Sequence, residues 1–408
     1  MTDGLKIPCD LLILGGGQLG KMLIQAARRS EISKHWHIGV WTPSGDDPAV
    51  KLADFSVLLP LELTEESVQV LEGFTPTTLK RITIEFENID HALLKHLEDL
   101  GFWVSPTARI VEIAQHRIRE KSLLASLGLP VAPWIPIPST GLTNPTDSFH
   151  QVAGPSGAIL KTATQGYDGK GQLKIPDEAC LTEFIESTGI QRDYVLEQTV
   201  PFVSEFSILV ARNPQGDVVT YTPIENRHQN HILHVSRWPA VAVPQKTANE
   251  AQAAAVHIAD SLGLVGIMAV ECFLNADGSF WVNELAPRPH NSGHLTIEAA
   301  CTSQFTQHLL ALSASSLGST AMIGPSENGA ALMINILGDI WWTSTGEYRE
   351  PNWTSLAEYC PRATLHLYGK HTPKPGRKMG HITWLLDSPD MLESAQASLE
   401  DWICLQGR

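Results

Sequence analysis

One short stretch near residue 284 concentrates side chains that can bind and polarise a ligand. Residues 281–286 have the pattern of a strand, carry the carboxylate of Glu284 and end at a proline. The loop that follows holds a guanidinium, an amide, a hydroxyl and two imidazoles, from Arg288, His290, Asn291, Ser292 and His294. Polar groups cost free energy when they are buried without partners. We therefore interpret this loop as part of a binding site.

A second carboxylate precedes the loop on a predicted β-hairpin whose turn is 275–278. With a four-residue turn, Leu274 faces Ser279, and Glu271 lies diagonal to Glu284 on one face, roughly 7–8 Å away. Two such carboxylates repel each other unless a cation intervenes, and Mg²⁺ takes one or two carboxylates together with phosphate oxygens. The hairpin therefore predicts a magnesium site at Glu271 and Glu284. Two rim glutamates paired with arginines are the alternative.

Two further segments are suited to binding phosphate. Segment 162–172 lies between two short predicted strands, and its glycines leave backbone N–H groups free to face an anion, with Lys161 and Lys170 adding charge. An ordinary glycine-rich hairpin is the alternative. Residues 369–378 contain four of the chain's 29 basic residues. That loop predicts a phosphate-monoester site, with a solvated basic turn as the alternative.

The N-terminal segment has the pattern of a Rossmann-like unit. A buried strand over 10–14 leads into Gly15-Gly-Gly-Gln-Leu-Gly20 and then an amphipathic helix. The strand over 37–41 ends at Trp41, where a dinucleotide-binding fold usually places an acid for the ribose. The motif therefore favours a tight turn over an NAD site. A later strand over 81–87 carries Glu85 and Glu87 near its carboxyl end, where such sheets bind ligands. An exposed edge carboxylate is the alternative for each of them.

Composition limits the function classes. The chain has 408 residues, 43% of them hydrophobic and 18% charged, which predicts a soluble protein of two or three domains. A net charge of -15 argues against a nucleic-acid binder. Six scattered cysteines without a C-x-x-C pair predict reduced thiols. Neither a secretory signal nor an apolar run of about 18 residues is visible, so we expect a cytoplasmic location and no membrane contact.

These motifs, taken in order, resemble the ATP-grasp ligases, and within them the 5-(carboxyamino)imidazole ribonucleotide synthase family of purine biosynthesis. The resemblance spans nearly the whole chain. Its most specific runs are 283–294 and 375–381. The residues that carry it are Gly15–Leu23, Lys161-Thr162 with Gly166–Gln172, Glu225–His228 with Ile232–His234, Asn283–His294, Ser303–Phe305, Met333–Asn335, and His366–Lys370 with Pro375–His381.

The resemblance implies an α/β and α+β architecture: an ATP-grasp fold with a Rossmann-like N-terminal domain (1–108) and a small β-rich C-terminal domain (318–408). The ATP-grasp domain would cover 109–317, with a mobile lid at about 150–205. The implied reaction joins bicarbonate to 5-aminoimidazole ribonucleotide through carboxyphosphate, at the expense of ATP. Implied cofactors are ATP and Mg²⁺, and the family suggests a homodimer.

The resemblance also assigns nucleotide and metal contacts. Glu271 and Glu284, with Asn283, would hold Mg²⁺. Glu205 would hold the ribose hydroxyls, beside further nucleotide contacts at Arg117 and His228. Lys161 and the glycine-rich loop would cover the nucleotide, through Gly166, Tyr167, Asp168, Gly169, Lys170, Gly171 and Gln172. The adenine would lie against Glu197, Gln198, Thr199 and Val200.

The substrate contacts follow in the same way. Arg288 would orient bicarbonate and stabilise carboxyphosphate, with Asn291 beside it. Asp168 and Lys170 would act in catalysis, and Tyr167 would face the substrate with them. The other implied substrate contacts are Gln18, Glu87, His290 and Ser292, together with Lys370, Arg377 and Lys378 on the 5′-phosphate.

Some positions depart from the family pattern, and other functions share part of it. Thr162–Gln165 lacks one basic residue, Asn230-His231 replaces Asp-Gly, and Arg237-Trp238 interrupts a familiar strand. The alternatives are another ATP-grasp carboxylate–amine ligase, a non-catalytic nucleotide-binding regulator and an NAD oxidoreductase. The 286–294 and 375–381 segments favour the carboxylating synthase over the first of these. The complete set of carboxylates with Arg288 argues against a regulator.

Overall fold

A computed structural model describes residues 8–140, 145–164, 166, 171–188 and 192–406. The helices are α1 Gln18–Arg29, α2 Glu65–Leu71, α3 His91–Asp99, α4 Ala108–Ala114, α5 Arg117–Ser126, α6 Pro145–Val152, α7 Glu178–Thr188, α8 Gln245–Leu262, α9 Thr296–Ala299, α10 Gln304–Leu312, α11 Leu356–Tyr359 and α12 Leu392–Gln406. Within the described ranges, none is long and apolar enough to cross a membrane.

Strands alternate with these helices and supply more of the buried hydrophobic residues than the helices do. They are β1 Leu11–Leu14, β2 Ile38–Thr42, β3 Phe55–Leu58, β4 Ile82–Ile84, β5 Trp134–Ile137, β6 Ala158–Thr162, β7 Gln172–Ile175, β8 Tyr194–Gln198, β9 Ser204–Arg212, β10 Val218–Thr220, β11 Ile224–Gln229, β12 Ile232–Trp238, β13 Gly266–Leu274, β14 Phe280–Ala286, β15 Ala330–Leu337, β16 Thr364–Leu367 and β17 Lys378–Leu386.

The N-terminal sheet is parallel and has the order β3-β2-β1-β4. Its central strand, β1, is fully buried, which explains the continuous apolar run Leu11–Leu14. The carboxyl ends of β1 and β4 lead to the glycine-rich turn and to Glu85 and Glu87. The predicted strand over 81–87 is therefore too long, since β4 ends at Ile84 and leaves both glutamates in the loop that follows.

Among the described strands, one central sheet of nine has the order β14-β13-β9-β11-β12-β15-β17-β16, with β10 paired to β9. A small sheet, β5-β8-β6-β7, stands apart and includes the strands on both sides of the glycine-rich hairpin. The strands of the C-terminal segment extend the central sheet through the pairing of β12 with β15. The segment from 318 onward therefore shares a sheet with the segment before it, and the proposed domain limits stay predictions.

One predicted helix is interrupted. The sequence over 110–127, which ends before Gly128, predicts a single helix from Ile110 to Leu127, but α4 ends at Ala114 and α5 begins at Arg117. The side-chain amide of Gln115 donates to the carbonyls of Glu87 (a short contact) and Ile89 (2.6 Å), and the Arg117 N–H donates to Ala163 at 2.8 Å. Tertiary hydrogen bonds thus replace helical ones and place Arg117 at a helix start.

The N-terminal sheet is joined to the central sheet by a buried histidine. His308 of α10 is fully buried, and its Nδ1 accepts from the Ile267 N–H at 3.1 Å. Its Nε2 lies 2.8 Å from the Thr83 hydroxyl, which itself donates to the Ser105 carbonyl at 2.7 Å. Nε2 therefore carries the proton, and the ring is neutral. Burial lowers the pKa of His308 to about 4.

This burial predicts a loss of stability in mild acid. An unfolded histidine has a pKa of about 6.5, so between that value and about 4 the unfolded chain binds a proton that the folded chain does not. The contribution of His308 is therefore complete above pH ~6.5 and falls as the pH decreases, by on the order of 2 kcal/mol at pH ~5. Thermal unfolding midpoints measured from neutral to acidic pH should fall more steeply for the wild type than for His308→Gln.

The control is His257→Gln, because His257 is exposed on α8. That variant should keep the wild-type pH dependence. A wild-type slope in His308→Gln would contradict the assignment.

Candidate functional site

A single large cavity of about 1460 Å³ gathers most of the predicted site residues from all three parts of the chain. The N-terminal sheet contributes Gln18 and Glu87, and the basic loop contributes Lys370, Arg377 and Lys378. The middle of the chain contributes Arg117, Lys161, Gly166, Gln172, Glu197, Gln198, Thr199, Val200, Glu205, His228, Glu271, Asn283, Glu284, Arg288, His290 and Asn291.

The register predicted for the carboxylate hairpin is wrong, although both glutamates line the cavity. Leu274 pairs with Phe280, not Ser279, and with this longer turn a regular ladder would pair Glu271 with Asn283. A bulge between Glu271 and Cys272 shifts the register by one residue, so Glu271 lies directly opposite Glu284. Because neighbouring side chains of a regular strand alternate between faces, the bulge is what returns Glu284 to the face of Glu271.

Each of these carboxylates faces a basic group of the protein. Glu271 Oε1 lies 2.9 Å from His290 Nε2, and Glu284 Oε2 lies 3.5 Å from the Arg117 guanidinium. Burial would raise the pKa of Glu271, but the charge and hydrogen bond of His290, aided by His228 and Arg288, lower it to about 2. Glu271 is therefore ionised at neutral pH.

The two opposed carboxylates fit Mg²⁺ as a metal bound together with phosphates. Mg²⁺ usually takes one or two protein carboxylates and completes its shell with phosphate oxygens and water. No group of three or more His, Cys, Asp or Glu residues suited to a metal occurs among the residues that the structure describes. Among those residues, the donor set therefore fits a metal that is shared with a nucleotide better than a metal that is held by protein side chains alone.

Arg288 is held at the cavity wall by the predicted substrate residue Glu87. The guanidinium donates to both carboxylate oxygens, at 2.8 Å for Nη2 and through a shorter contact from Nε. Burial would raise the pKa of Glu87, but the charge and hydrogen bonds of Arg288 lower it. This bidentate pair joins the N-terminal sheet to the loop after β14 and fixes the plane of the guanidinium.

Asn291, three residues after Arg288, has a buried amide that lacks a partner among the described residues. It is 8% exposed and lines the cavity. Neither its amide nitrogen nor its oxygen has a hydrogen-bond partner in the described part of the chain. A buried amide left unpaired costs free energy, so a polar ligand is the expected partner.

His290 is fixed by residues behind the cavity wall. The Gln304 amide accepts from the His290 N–H at 2.8 Å and donates to its carbonyl at 2.7 Å. Ser292, predicted as a substrate contact, is fully buried, and its hydroxyl lies 2.9 Å from His290 Nδ1 and 2.7 Å from the Ser207 hydroxyl. Ser292 therefore holds His290 and does not line the cavity.

The predicted nucleotide end rests on a buried ion cluster. The Glu197 carboxylate lies 2.7 Å from the Lys121 ammonium and 2.8 Å from that of Lys161, and all three side chains are buried. Burial would raise the pKa of Glu197, but the two lysines lower it to about 2.

A second ion pair lines the cavity on β9 and β11, where Glu205 pairs with His228 at 2.6 Å. Burial would lower the pKa of His228, but the hydrogen bond and charge of Glu205 raise it.

The sequence interpretation missed two members of this region. Lys121 holds Glu197, and Glu120 accepts from the Leu285 N–H at 2.6 Å, directly after Glu284. Burial and the charge of Glu284 raise the pKa of Glu120 to about 8. The signal was the spacing of Arg117, Glu120 and Lys121, which puts three charges on one face of a helix that also packs against apolar neighbours.

The glycine-rich turn binds a carboxylate of the protein itself. Glu85 is buried and accepts from the N–H groups of Gly17, through a short contact, and of Gly20 at 2.8 Å. A Cβ on Gly17 would lie 2.6 Å from the Glu85 carboxylate. Since this carboxylate occupies the start of α1, where a dinucleotide pyrophosphate would bind, the structure supports the tight-turn interpretation over an NAD site.

The basic loop meets α1 across the cavity. The Lys370 ammonium donates to the Gln18 side chain through a short contact and to the Lys378 carbonyl at 2.8 Å. Burial, with the charge of Arg377, lowers the pKa of Lys370 to about 8. Lys370, Arg377 and Lys378 thus supply one set of cations to the cavity, and Arg117 and Lys161 supply another.

The departures from the family pattern have different surroundings. Asn230 and His231 line the cavity and have φ angles of 51° and 64°. Arg237 is buried and donates to the Glu393 carboxylate of α12 at 2.7 Å, so it stabilises the fold. Gly171, with φ of 73°, belongs to the glycine-rich hairpin and does not line the cavity. The predictions for Tyr167, Asp168, Gly169 and Lys170 lie outside the described residues.

Three family models match the chain and together cover most of it. They are the ribonucleotide synthetase preATP-grasp domain over 10–115, the ATP-grasp domain over 122–305, and the phosphoribosylaminoimidazole carboxylase C-terminal domain over 331–395. These matches confirm the predicted fold class.

Full-length relatives share one name. The N5-carboxyaminoimidazole ribonucleotide synthase of Bacillus subtilis is 36% identical over 97% of this chain and 96% of its own length. That of Synechococcus elongatus is 34% identical over 94% and 91%. A solved Staphylococcus aureus N5-carboxyaminoimidazole synthetase, complexed with ADP, superposes with a TM-score of 0.82 at 31% identity, covering 98% of each chain.

Proposed function

The chain belongs to the N5-carboxyaminoimidazole ribonucleotide synthase family, and we propose that its cavity carboxylates 5-aminoimidazole ribonucleotide (the ribotide) with bicarbonate and ATP. The protein is an ATP-grasp ligase of purine biosynthesis. The observation that carries the residue assignment is the buried Asn291 amide, which is unpaired among the described residues and lines the same cavity as Arg288, the opposed glutamates and Lys370. A small polar anion with donors and acceptors, such as bicarbonate, satisfies such an amide.

ATP is assigned to the end of the cavity that contains Glu197. Lys161 is held by Glu197 and lines the cavity, so its ammonium is in place to meet phosphate oxygens. Gln198 ends β8, Thr199 and Val200 follow it, and all three line the cavity and provide a wall for the adenine. Glu205, fixed by His228, supplies a carboxylate acceptor for the ribose hydroxyls. Arg117 provides a second cation between Lys161 and Glu284.

Mg²⁺ is assigned to Glu271 and Glu284, with Asn283 beside them on the bulge. Bound there with the nucleotide, the metal supplies positive charge for the phosphate oxygens as the γ-phosphoryl group is transferred. His290 orients the Glu271 carboxylate through the contact of its Nε2 with Oε1.

The reaction forms and breaks two sets of bonds. A bicarbonate oxygen attacks the γ-phosphorus and ADP leaves, giving carboxyphosphate. The ribotide amine then bonds to the carboxyl carbon, either of carboxyphosphate or of CO₂ released from it; the amine loses a proton, and phosphate departs. Arg288 can hold the carboxyl oxygens because Glu87 fixes its guanidinium plane, while the Asn291 amide donates to one oxygen. Catalysis in such a site is chiefly positioning and electrostatic stabilisation.

The ribotide is assigned to the basic end. Its 5′-phosphate would lie against Lys370, Arg377 and Lys378, and its base would extend toward Glu87. The glycine-rich hairpin over 166–172 is assigned to cover both ligands and exclude water, which would hydrolyse carboxyphosphate. We further propose a homodimer and a cytoplasmic location; the latter is supported by six free cysteines.

An omission assay tests the function. ADP release should require the ribotide and bicarbonate together with ATP, because the phosphoryl acceptor is bicarbonate and its product must be captured. The measurement is the rate of ADP formation with each component left out in turn. ADP formation that is indifferent to the ribotide would remove the assignment.

The metal assignment predicts a large effect of Glu284→Gln. An amide keeps the shape of the side chain but loses the charge that attracts the cation. The fall in kcat/KM should therefore correspond to a loss of several kcal/mol of transition-state stabilisation. Steady-state kinetics at varied Mg²⁺ concentration measures the loss. Glu250→Gln is the control, since Glu250 is an exposed residue of α8. Near-normal turnover of Glu284→Gln would count against the metal role.

Lys370, Arg377 and Lys378, here called the phosphate clamp, are assigned to the 5′-phosphate of the ribotide. This assignment predicts a selective effect of Lys370→Ala. The ribotide KM should rise about ten-fold or more, and more than the ATP KM, because a cation facing the 5′-phosphate is lost. Lys374→Ala is the matched control, because Lys374 is an exposed lysine of the same loop that does not line the cavity. A larger increase in the ATP KM than in the ribotide KM would contradict the clamp.

A further inference from the structure

A lysine of the N-terminal segment is bonded to the main chain that leads into the basic loop. The Lys21 ammonium donates to the carbonyl oxygens of Leu367 and Tyr368, each at 2.9 Å. These carbonyls stand at the end of β16, directly before Gly369 and Lys370. Helix α1 therefore holds the main chain at the point where it leaves the central sheet.

The same face of α1 also contacts the side chain of Lys370. Gln18 accepts a hydrogen bond from the Lys370 ammonium, and Gln18 lies three residues before Lys21. Residues three apart on a helix are neighbours on its surface. One helix face thus fixes the clamp twice, its backbone through Lys21 and its terminal ammonium through Gln18.

The turn between these two contacts needs a glycine. Gly369 has φ of 81°, in the left-handed region that side chains disfavour, and a Cβ there would lie 3.5 Å from the Lys21 ammonium. This turn sends the chain back toward the cavity, so that Lys370 reaches Gln18. Without the Lys21 contacts, the two carbonyls would lose these hydrogen bonds, and the turn would be held by its pairing with β17 and by Lys370 itself.

The packing of α1 against the C-terminal segment does not depend on Lys21. The Tyr368 side chain is buried in an apolar cluster with Leu19, Met22 and Leu23 of α1 and with Phe305 of α10. Lys21 itself is partly exposed and does not line the cavity. Replacing its ammonium should therefore change the placement of the clamp and leave the fold intact.

We infer that Lys21 is a positioning residue for ribotide binding. Its ammonium holds the carbonyls of Leu367 and Tyr368 so that Lys370 stands where the 5′-phosphate binds. Lys21 acts through Lys370 and does not touch the ligand. This inference rests on the role proposed above for Lys370.

The test is Lys21→Met, which keeps an unbranched side chain and removes the donor. The ribotide KM should rise about three- to ten-fold, while kcat at saturating ribotide and the ATP KM stay within about two-fold. Lys21→Arg should recover most of the wild-type ribotide KM, because a guanidinium can donate to both carbonyls. Lys34→Met is the control, since Lys34 pairs with Glu31 at the surface.

A double variant separates action through Lys370 from a general effect. If Lys21 acts through Lys370, adding Lys21→Met to Lys370→Ala should leave the ribotide KM close to that of Lys370→Ala alone. Full additivity, an unchanged ribotide KM in Lys21→Met, or an equal rise of both KM values would overturn the inference. If Lys370→Ala raises the ribotide KM and Lys21→Met does not, the clamp stands and only the role of Lys21 fails. If Lys370→Ala has no effect, the clamp fails and this inference with it.

Discussion

The bulge in the β13–β14 hairpin is the constraint on which the site depends. Side chains of a regular strand alternate between the two faces of the sheet. The turn of this hairpin is one residue longer than a turn that pairs Leu274 with Ser279, and in a regular ladder it would place Glu284 on the face opposite to that of Glu271. The register shift beside Glu271 absorbs that residue. As a result two carboxylates stand opposite each other at one wall of the cavity, next to the loop that carries Arg288 and Asn291.

Several charged groups of the site have partners within the protein. Glu87 pairs with Arg288, Glu271 with His290, and Glu197 with two lysines. Buried charges need such partners, because their desolvation is costly. Binding of an anion or a metal is then an exchange of partners, which suits a protein of net charge -15 that must hold anionic ligands by local groups alone.

The sequence predicted the residues of the site better than their geometry. Motif spacing identified Glu271, Glu284 and Arg288, and the structure brings all three to one cavity. It did not predict the bulge, because turn length is set by the hydrogen bonds of 275–279 and not by the apolar pattern. Nor did it predict that Glu85 binds the start of α1, since that contact joins elements 65 residues apart.

The pairing of β12 with β15 has a practical consequence for dividing the protein. The C-terminal segment matches a family model of its own, yet its strands complete a sheet begun by β9, β11 and β12. Separate expression of the two pieces would leave β12 and β15 each with a row of unpaired backbone groups, which invites aggregation. Fragments made for study or for fusion should therefore be cut elsewhere, or co-expressed so that the shared sheet can close.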